Sequence, residues 1–328
     1  MNALLLLIVV VVALLLLTRV WGRGPGYFAQ ILVYGFANGS IYALIAIGYT
    51  MVYGIIELIN FAHGDVFTLG GFVALALLPM FGVTESQRDT PGVILPLLAT
   101  LVISMLFCGV VNVLIERIAY RPLRHAPRLA PLITAVGMSF VLEGIMFLWR
   151  GPFFLHFPDL LPSARISIGP ETSVGVKELT VFAIAIVLTV VLSLFIERTK
   201  LGKAMRATAQ DRDAAQLMGI DINTTIALTF FIGAALAGAG GMIFGLYFNS
   251  LSFDLGFSAG LFAFTAAVFG GIGNIYGAAI GGLVIGMVQS FSDGYFDSTW
   301  TQVVIFAVLI LVLVFRPTGI LGMRVPEK

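Results

Sequence analysis

Four ionisable residues interrupt the apolar runs of this sequence: Glu57, His63, Asp65 and Glu143. Ionisable side chains are costly at membrane depth, so each of them is a functional candidate. Such carboxylates could relay protons, and His63 with Asp65 could form a metal-binding or acid–base pair. The structural alternative, which we favour, is that Asn60, His63 and Asp65 satisfy backbone groups freed where a helix breaks.

Sequence patterns typical of catalysis are missing. A metal site needs three or four protein ligands, and of the other two histidines His125 lies in a basic cluster and His156 in a predicted outer loop. The sequence contains no HExxH or GxSxG motif, and its single cysteine is Cys108. The string LGKAM at 201–205 lacks the glycine-rich loop and the Ser/Thr of an ATP-binding P-loop. We expect no catalytic residue, metal or cofactor, and any ATP hydrolysis should occur on a separate chain.

The segment 197–221, ERTKLGKAMRATAQDRDAAQLMGID, is charge-rich and lies between two charge-free runs. It must lie in water at the membrane surface, and its five basic residues predict that this surface is cytoplasmic. A structured cytoplasmic segment between two spans indicates a docking point for a soluble partner.

Composition places the chain in the membrane. Hydrophobic residues make up 59% and charged residues 11% of the sequence, and the mean hydropathy is +1.04. An ordinary soluble domain is about 25% charged. The sequence therefore predicts a polytopic protein of the lipid bilayer, and the net charge of +1 argues against a nucleic-acid partner. Residues 1–17 could be a signal peptide, but their basic residues follow the apolar run, which favours a span or anchor.

The basic residues group into clusters that constrain the topology. Of the 18 Lys and Arg residues, 14 lie in four clusters, which the positive-inside rule assigns to the cytoplasm: Arg19/Arg23, Arg117–Arg128, Arg198–Arg212 and Arg316/Arg324/Lys328. Two cytoplasmic clusters must be separated by an even number of crossings. We count three apolar runs between Arg23 and Arg117, and again three between Arg212 and Arg316.

A helix break in each half would restore the even number. The run 255–292 is far longer than one span and contains GGIGN at 270–274, and the first half contains NFAHGD at 60–65. Irregular backbone at membrane depth marks transport pathways built from structural repeats. We predict an all-α polytopic bundle with about ten core spans in two repeats with broken helices, plus an extra N-terminal helix. The alternative is that one basic cluster is not cytoplasmic.

Several blocks of the sequence resemble one family. They match, in order, the H-type permease of high-affinity branched-chain amino-acid ABC importers, and they cover roughly residues 28–323: YALIAIGYTMVYGIIELINFAHGD (42–65), ERIAYRPLR (116–124), RATAQDRDAAQLMGID (206–221), AFTAAVFGGIGNIYGAAIGGLVIG (263–286) and RPTGILG (316–322). Residues 1–27 are expected to form an extra N-terminal hydrophobic helix and a linker outside the usual pattern of the family. Residues 324–328 are expected to form a cytoplasmic tail. The permeases of urea and short-chain amide importers are closely similar.

The resemblance implies a permease subunit in the bacterial inner membrane. Its partners would be two ABC ATPase subunits, a second related permease and a periplasmic substrate-binding protein. It also implies that 197–221 is the coupling segment, with the family block falling on Arg206, Ala207, Asp211, Ala214 and Gly219. The helix breaks would lie nearest the substrate path, which gives the path candidates Asn60, His63, Asp65, Glu143, Gly271 and Asn274.

Two rival functions remain open at this level. A self-sufficient secondary transporter would use Glu57, Asp65 or Glu143 to relay protons, and an intramembrane enzyme would need a tighter polar cluster. The segment 197–221 separates the importer subunit from both rivals, since a secondary transporter has no need of a helical docking module there.

Overall fold

A computed structural model describes residues 3–87, 90–124, 126–127, 129–169 and 172–322, with side chains from residue 22 onward apart from Ser86 and Pro91. Eleven α-helices are found in this part of the chain: α1 Ala3–Ile56, α2 Ala62–Met80, α3 Ile94–Ile115, α4 Leu129–Arg150, α5 Val176–Arg198, α6 Lys200–Gln210, α7 Arg212–Leu217, α8 Ile222–Phe248, α9 Leu255–Gly270, α10 Ile275–Tyr295 and α11 Thr301–Phe315. The tail 323–328 and residues 1–2 lie outside the described residues.

Strands are short and lie at one end of the bundle. β1 (Leu155–His156) pairs with β4 (Ser250–Leu251), and β2 (Arg165–Ser167) pairs with β3 (Ser173–Gly175), both antiparallel. A π-helical turn, Glu116–Tyr120, and a 3-10 turn, Arg121–Leu123, extend α3.

Eight helices within the described residues are long and apolar enough to cross a membrane, and α9, at 16 residues, is a shorter apolar helix. The predicted all-α polytopic bundle is confirmed. From residue 22 onward the structure contains nine crossing helices once α9 is included, against the predicted count of about ten core spans. The preceding part of α1, residues 3–23, is joined to them through a kink.

The kink in α1 has a local cause. Gly24 has φ 81° and ψ 162°, and Pro25 follows it. A residue before proline is driven out of the helical region, and only glycine adopts this positive φ without strain. The kink lies three residues before the predicted boundary between the N-terminal segment and the permease domain at 27/28, and that boundary stays a prediction.

Basic residues of the two central clusters, Arg117–Arg128 and Arg198–Arg212, lie at the same end of the bundle. Arg124 donates to the Asn223 side chain (2.7 Å). Tyr276 donates to Glu197 (2.7 Å), and Arg212 donates to the carbonyl of Ile55. The ends of α1, α3, α5 and α9 therefore meet the starts of α8 and α10 at this face, which the basic residues identify as cytoplasmic.

The position of Arg23 contradicts the prediction that all four basic clusters are cytoplasmic. Arg23 donates to Tyr27 (2.6 Å) and to the carbonyl of Gly294, in the last turn of α10. This turn lies at the end opposite Arg212. Three helices, α1 to α3, separate Arg23 from Arg117. The chain therefore crosses the membrane an odd number of times between these two residues, as the count of apolar runs indicated. The alternative of a misassigned cluster is the correct one, because the guanidinium binds outer backbone and aromatic groups.

Each half of the bundle nevertheless contains one helix break. The non-glycine residues with positive φ among those described are Glu57 (φ 56°), which ends α1, and Asn249 (φ 54°), which ends α8. Short non-helical linkers follow them and lead into α2 and α9. The pairing of helices repeats as well, since α1 packs along α10 as α8 packs along α3.

The interruption predicted at Gly270–Asn274 is present, but it lies at the cytoplasmic end of the bundle, and the break that leads into the bundle in the second half lies at 249–254. The segment 271–274 is a tight turn that connects α9 to α10, with Gly271 at φ 108°. It does divide the long run 255–292 into two crossings, as expected. The sequence pattern does not distinguish the two because a glycine-rich helix–helix turn and a break within the bundle share the same residue types.

We expect impermeant-thiol labelling to distinguish the two ends. In a Cys108→Ser background, Gly22→Cys and Ser298→Cys should react from outside intact cells, and Leu217→Cys should react only after the cytoplasmic face is opened. All three positions are exposed, and nothing lies within 4 Å of a side chain added at Gly22. Labelling of Gly22→Cys and Leu217→Cys from the same side would contradict this topology.

Candidate functional site: a cytoplasmic segment and a helix break

The segment 197–221 folds as two short helices because polar residues cap each of them. Thr199 accepts from the Gly202 amide (3.0 Å) and begins α6. Asp211 accepts from the Ala214 amide (3.0 Å) and begins α7. Side-chain oxygens at these N-cap positions satisfy amides that have no partner within the helix. Gly219, at φ 84°, follows α7 and lets the chain turn.

The next cap joins the segment to α8. Asp221 accepts from the Asn223 amide (2.9 Å) and from the Thr224 hydroxyl (2.6 Å). Hydrogen bonds from Thr224 hold the pKa of the Asp221 carboxyl below its ordinary value. This carboxylate is therefore ionised at neutral pH and favours the N-terminus of α8.

Two arginines fasten the segment to the bundle. Arg206 donates to the carbonyl of Ile196 near the end of α5. Arg212 donates twice to the carbonyl of Ile55, from Nε (3.1 Å) and from Nη2 (2.6 Å). Both carbonyls lie where a helix ends, and cations are favourable there.

An apolar pair projects from the segment. Leu217 is 88% exposed and Met218 is 83% exposed, although they belong to a charge-rich segment outside the apolar runs. We call Leu217 and Met218 the tip. Adjacent exposed apolar side chains outside the apolar spans are candidates for an interaction surface.

The first helix break, at residues 57–61, lies deeper in the bundle than this segment. Buried polar groups form hydrogen bonds around it. Tyr120, in the π-helical turn, donates to Asn60 Oδ1 (2.6 Å). The His63 amide donates to the Asn60 carbonyl (3.0 Å), and Ser139 donates to Asp65 Oδ2. Asn60, His63 and Asp65 are each at most 1% exposed. Since Ser139 lies midway along α4, α2 begins near the middle of the bundle.

Glycines allow the starts of α2 and α9 to contact each other at this depth in the bundle. A methyl group added at Gly64 would overlap the carbonyl of Gly256 and lie 2.8 Å from Cα of Gly260. A methyl group at Gly256 would in turn lie 2.7 Å from the carbonyl oxygen of Gly64. The first turns of α2 and α9 therefore cross backbone to backbone.

Carboxylates surround this crossing on the α4 side. Glu143 is half-buried on α4, four residues after the Ser139 that donates to Asp65, and Asp254 is exposed just before α9. None of the ion pairs among the described residues involves these three carboxylates. A negative face without a cation at membrane depth is unsuited to lipid contact.

The other two path candidates lie elsewhere. Asn274 accepts from the Gly277 amide (3.1 Å) and donates to the Leu321 carbonyl (3.0 Å), so it caps α10 and fastens the chain after α11. Gly271 sits in the same cytoplasmic turn. The structure therefore does not bring Gly271 and Asn274 together with Asp65 and Glu143.

A cavity of about 420 Å³ lies between the break and the segment. The end of α1 with Glu57, the π-helical turn with Tyr120, and the segment with Arg212 form its walls. The cavity opens to the cytoplasmic side, because its other walls include Arg124 and Asp213.

Comparisons with known proteins decide the family. A family model described as the permease component of branched-chain amino acid transport systems matches residues 31–313. This chain belongs to that permease family. The branched-chain amino acid permease protein BraD of Pseudomonas aeruginosa is 44% identical over 92% of this chain and 98% of its own length.

Other relatives agree with this assignment. The high-affinity branched-chain amino acid permease protein LivH of Escherichia coli K12 is 41% identical over 92% of the permease and 98% of its own length. A probable LivH of Methanocaldococcus jannaschii is 28% identical over 86% of the permease and 89% of its own length. No solved structure matches the permease.

Several residues of this site escaped the sequence analysis. Tyr120 and Arg212 lie in sequence blocks that carried the family resemblance, but no pattern showed which backbone groups they bind. Asp254 divides two apolar runs and could have been added to the ionisable candidates. The tip could have been found as two adjacent apolar residues within a charged segment.

We expect Gly64→Ala to destabilise the permease, because the added methyl group has no space beside α9. Overpacking of a core costs about 1–3 kcal/mol. Gly137→Ala is the matched control: it also lies in a spanning helix, and nothing lies within 4 Å of the added Cβ. Thermal unfolding in detergent should show a lower transition for Gly64→Ala and an unchanged or higher one for Gly137→Ala. Equal transitions would contradict the backbone crossing.

Proposed function

We propose that this chain is the permease subunit of an ATP-driven importer of branched-chain amino acids in the bacterial inner membrane. It works with two ABC ATPase subunits, a second related permease and a periplasmic substrate-binding protein. The relatives' names support the substrate class, since BraD and LivH are named as branched-chain amino acid permeases. The observation that carries the ATPase partner is the exposed apolar tip on a braced cytoplasmic segment.

The ATPase docks at the tip, while the residues of the family block shape the segment behind it. Arg206 braces α6 against α5, Asp211 caps α7, and Gly219 turns the chain after the tip. Ala207 is half-buried, and Ala214 is exposed on α7 beside the tip. A preformed segment loses little conformational freedom on binding, which favours affinity.

Substrate passes along the face that carries Glu143 and Asp254, between this permease and the second one. Charged side chains within spans face a bundle interior or an aqueous cavity. The exposed apolar residues around Glu143, such as Phe140 and Phe147, suit contact with the partner permease. Asn60, His63 and Asp65 lie buried behind this face and hold the helix break that shapes it.

The carboxylates on this face complement an amino-acid substrate. The ammonium group of a zwitterionic amino acid can donate hydrogen bonds to these carboxylate oxygens, and such contacts do not require tight binding. Selection among side chains is then left to the external binding protein. Gly271 and Asn274 contribute to the path indirectly, through the cytoplasmic turn that positions α9 and α10.

We expect Leu217→Asp with Met218→Asp to abolish docking, because a charged tip cannot enter an apolar groove. The ATPase should co-purify with the permease at about a tenth of the original yield or less, which is typical of losing a central apolar contact. Gln216→Asp, exposed on the same helix, is the control and should leave co-purification intact. Normal co-purification and uptake by the double variant would refute docking at the tip.

Uptake should depend on ATP and survive collapse of the proton gradient at constant ATP. Glu143→Gln should keep most of the uptake, since the amide preserves size and hydrogen bonding and Asp254 still supplies negative charge. Glu143→Lys should reduce uptake about tenfold or more, because an opposite charge repels the ammonium group. The measurement is leucine uptake into proteoliposomes. An uncoupler that stops uptake at fixed ATP, with an inactive Glu143→Gln, would instead indicate a proton-coupled secondary transporter.

A further inference from the structure

The guanidinium of Arg212 binds the end of α1 at the point where that helix stops. Both Nε (3.1 Å) and Nη2 (2.6 Å) donate to the carbonyl of Ile55. In a continuing helix this carbonyl would accept from the amide of residue 59. The chain leaves the helix at Glu57 (φ 56°), so Arg212 supplies donors that the backbone cannot.

Arg212 is also rigidly connected to the tip. It is the first residue of α7, and Leu217 is the last, so one six-residue helix joins them. The two residues are separated by about 7.5 Å along the helix axis, at 1.5 Å per residue. Asp211 fixes the start of this helix through its cap on the Ala214 amide (3.0 Å). Displacement of the tip therefore displaces Arg212.

The end of α1 is connected in turn to the buried break. After Glu57 the chain passes through Asn60, whose side chain accepts from Tyr120 and whose carbonyl accepts from the His63 amide. Asp65 follows in the first turn of α2. The cavity of about 420 Å³ beside Arg212 leaves room for the end of α1 to shift.

Arg206 provides an internal comparison. It also donates to a helix-end carbonyl, that of Ile196, but α5 leads directly into the segment, and the two residues are ten positions apart. The bond from Arg206 is therefore a local brace. The bonds from Arg212 join groups 157 positions apart, and they reach the helix that contains the break. The helix α6 also packs against α1.

We propose that Arg212 is a positioning residue that transmits movement of the ATPase-docked tip to the end of α1, and through it to the helix break at 57–61. The proposal rests on the proposed function of the segment as the ATPase docking site. A link between docking and the path predicts a specific defect: the ATPase binds and hydrolyses ATP, but hydrolysis no longer drives transport.

The test uses the complete transporter in proteoliposomes with loaded binding protein. Arg212→Gln should co-purify with the ATPase at the wild-type level and keep most of the ATP hydrolysis. The ratio of leucine imported to ATP hydrolysed should fall about tenfold, as expected when a charged donor is lost from a buried acceptor. Arg212→Lys should keep an intermediate ratio, since lysine retains the charge but not the two fixed donors.

A covalent tether tests transmission directly. Ile56 and Asp213 line the same cavity on α1 and α7. In a Cys108→Ser, Arg212→Gln background, cysteines at these two positions joined by a short bis-maleimide should restore the import ratio, whereas a purely structural defect would not respond to the tether. If Arg212→Gln is not recovered from the membrane, Arg212→Lys takes its place in this test.

The outcomes separate this proposal from the docking proposal. An unchanged import ratio in Arg212→Gln, or a lowered ratio that the tether fails to restore, would overturn the role of Arg212. Loss of ATPase co-purification in Arg212→Gln, matching that of the variant with a charged tip, would also overturn it by making Arg212 part of the docking surface. Normal co-purification by the charged-tip variant would instead refute docking at the tip.

Discussion

Hydrogen bonding of the backbone within the bundle is the constraint on which this structure depends. A helix that ends inside a membrane protein exposes carbonyl and amide groups that lipid cannot satisfy. Here Arg212 donates to the backbone carbonyl of Ile55 at the end of α1, and Tyr120 donates to the side chain of Asn60 beyond the break. The groups that close the break come from the cytoplasmic segment and from the extension of α3. A local backbone requirement therefore joins the cytoplasmic segment to the helix break.

The buried polar side chains at the break bond to other side chains and not to the freed backbone groups that we expected them to satisfy: Asn60 accepts from Tyr120, and Asp65 accepts from Ser139. Asn60, His63 and Asp65 are enclosed by helices, and two glycine-containing turns cross beside them with backbone in contact. Glu143 and Asp254, by contrast, lie toward the surface of the bundle. The arrangement combines a rigid crossing near the middle of the bundle with a negative face at its side. Such an arrangement suits weak passage of a zwitterion along an interface better than tight binding within one chain.

The two halves use related solutions at their breaks. Glu57 and Asn249 both take the left-handed conformation at a helix end, and each is followed by a linker to a helix that begins inside the bundle. The first linker lies toward the cytoplasmic segment. The second begins at the outer end, where Asn249 accepts from Lys177 (3.0 Å) and β4 pairs with β1. Discontinuous helices in two related halves are a feature of many transporter folds.

The sequence by itself determined the membrane class, the helical bundle, the extent of the charged segment 197–221 and the family, because these depend on composition, on runs of apolar residues and on local blocks. It also located the first break, since NFAHGD places polar groups between two apolar runs. Only the tertiary structure decided which end of the bundle holds Arg23, where the second break lies, and what Arg206 and Arg212 bind. Basic residues act alike in a charge count, whether they face the cytoplasm or bind an outer carbonyl as Arg23 does. Contacts between groups far apart in the chain, such as Arg212 and Ile55, depend on helix packing, and no local pattern encodes that packing.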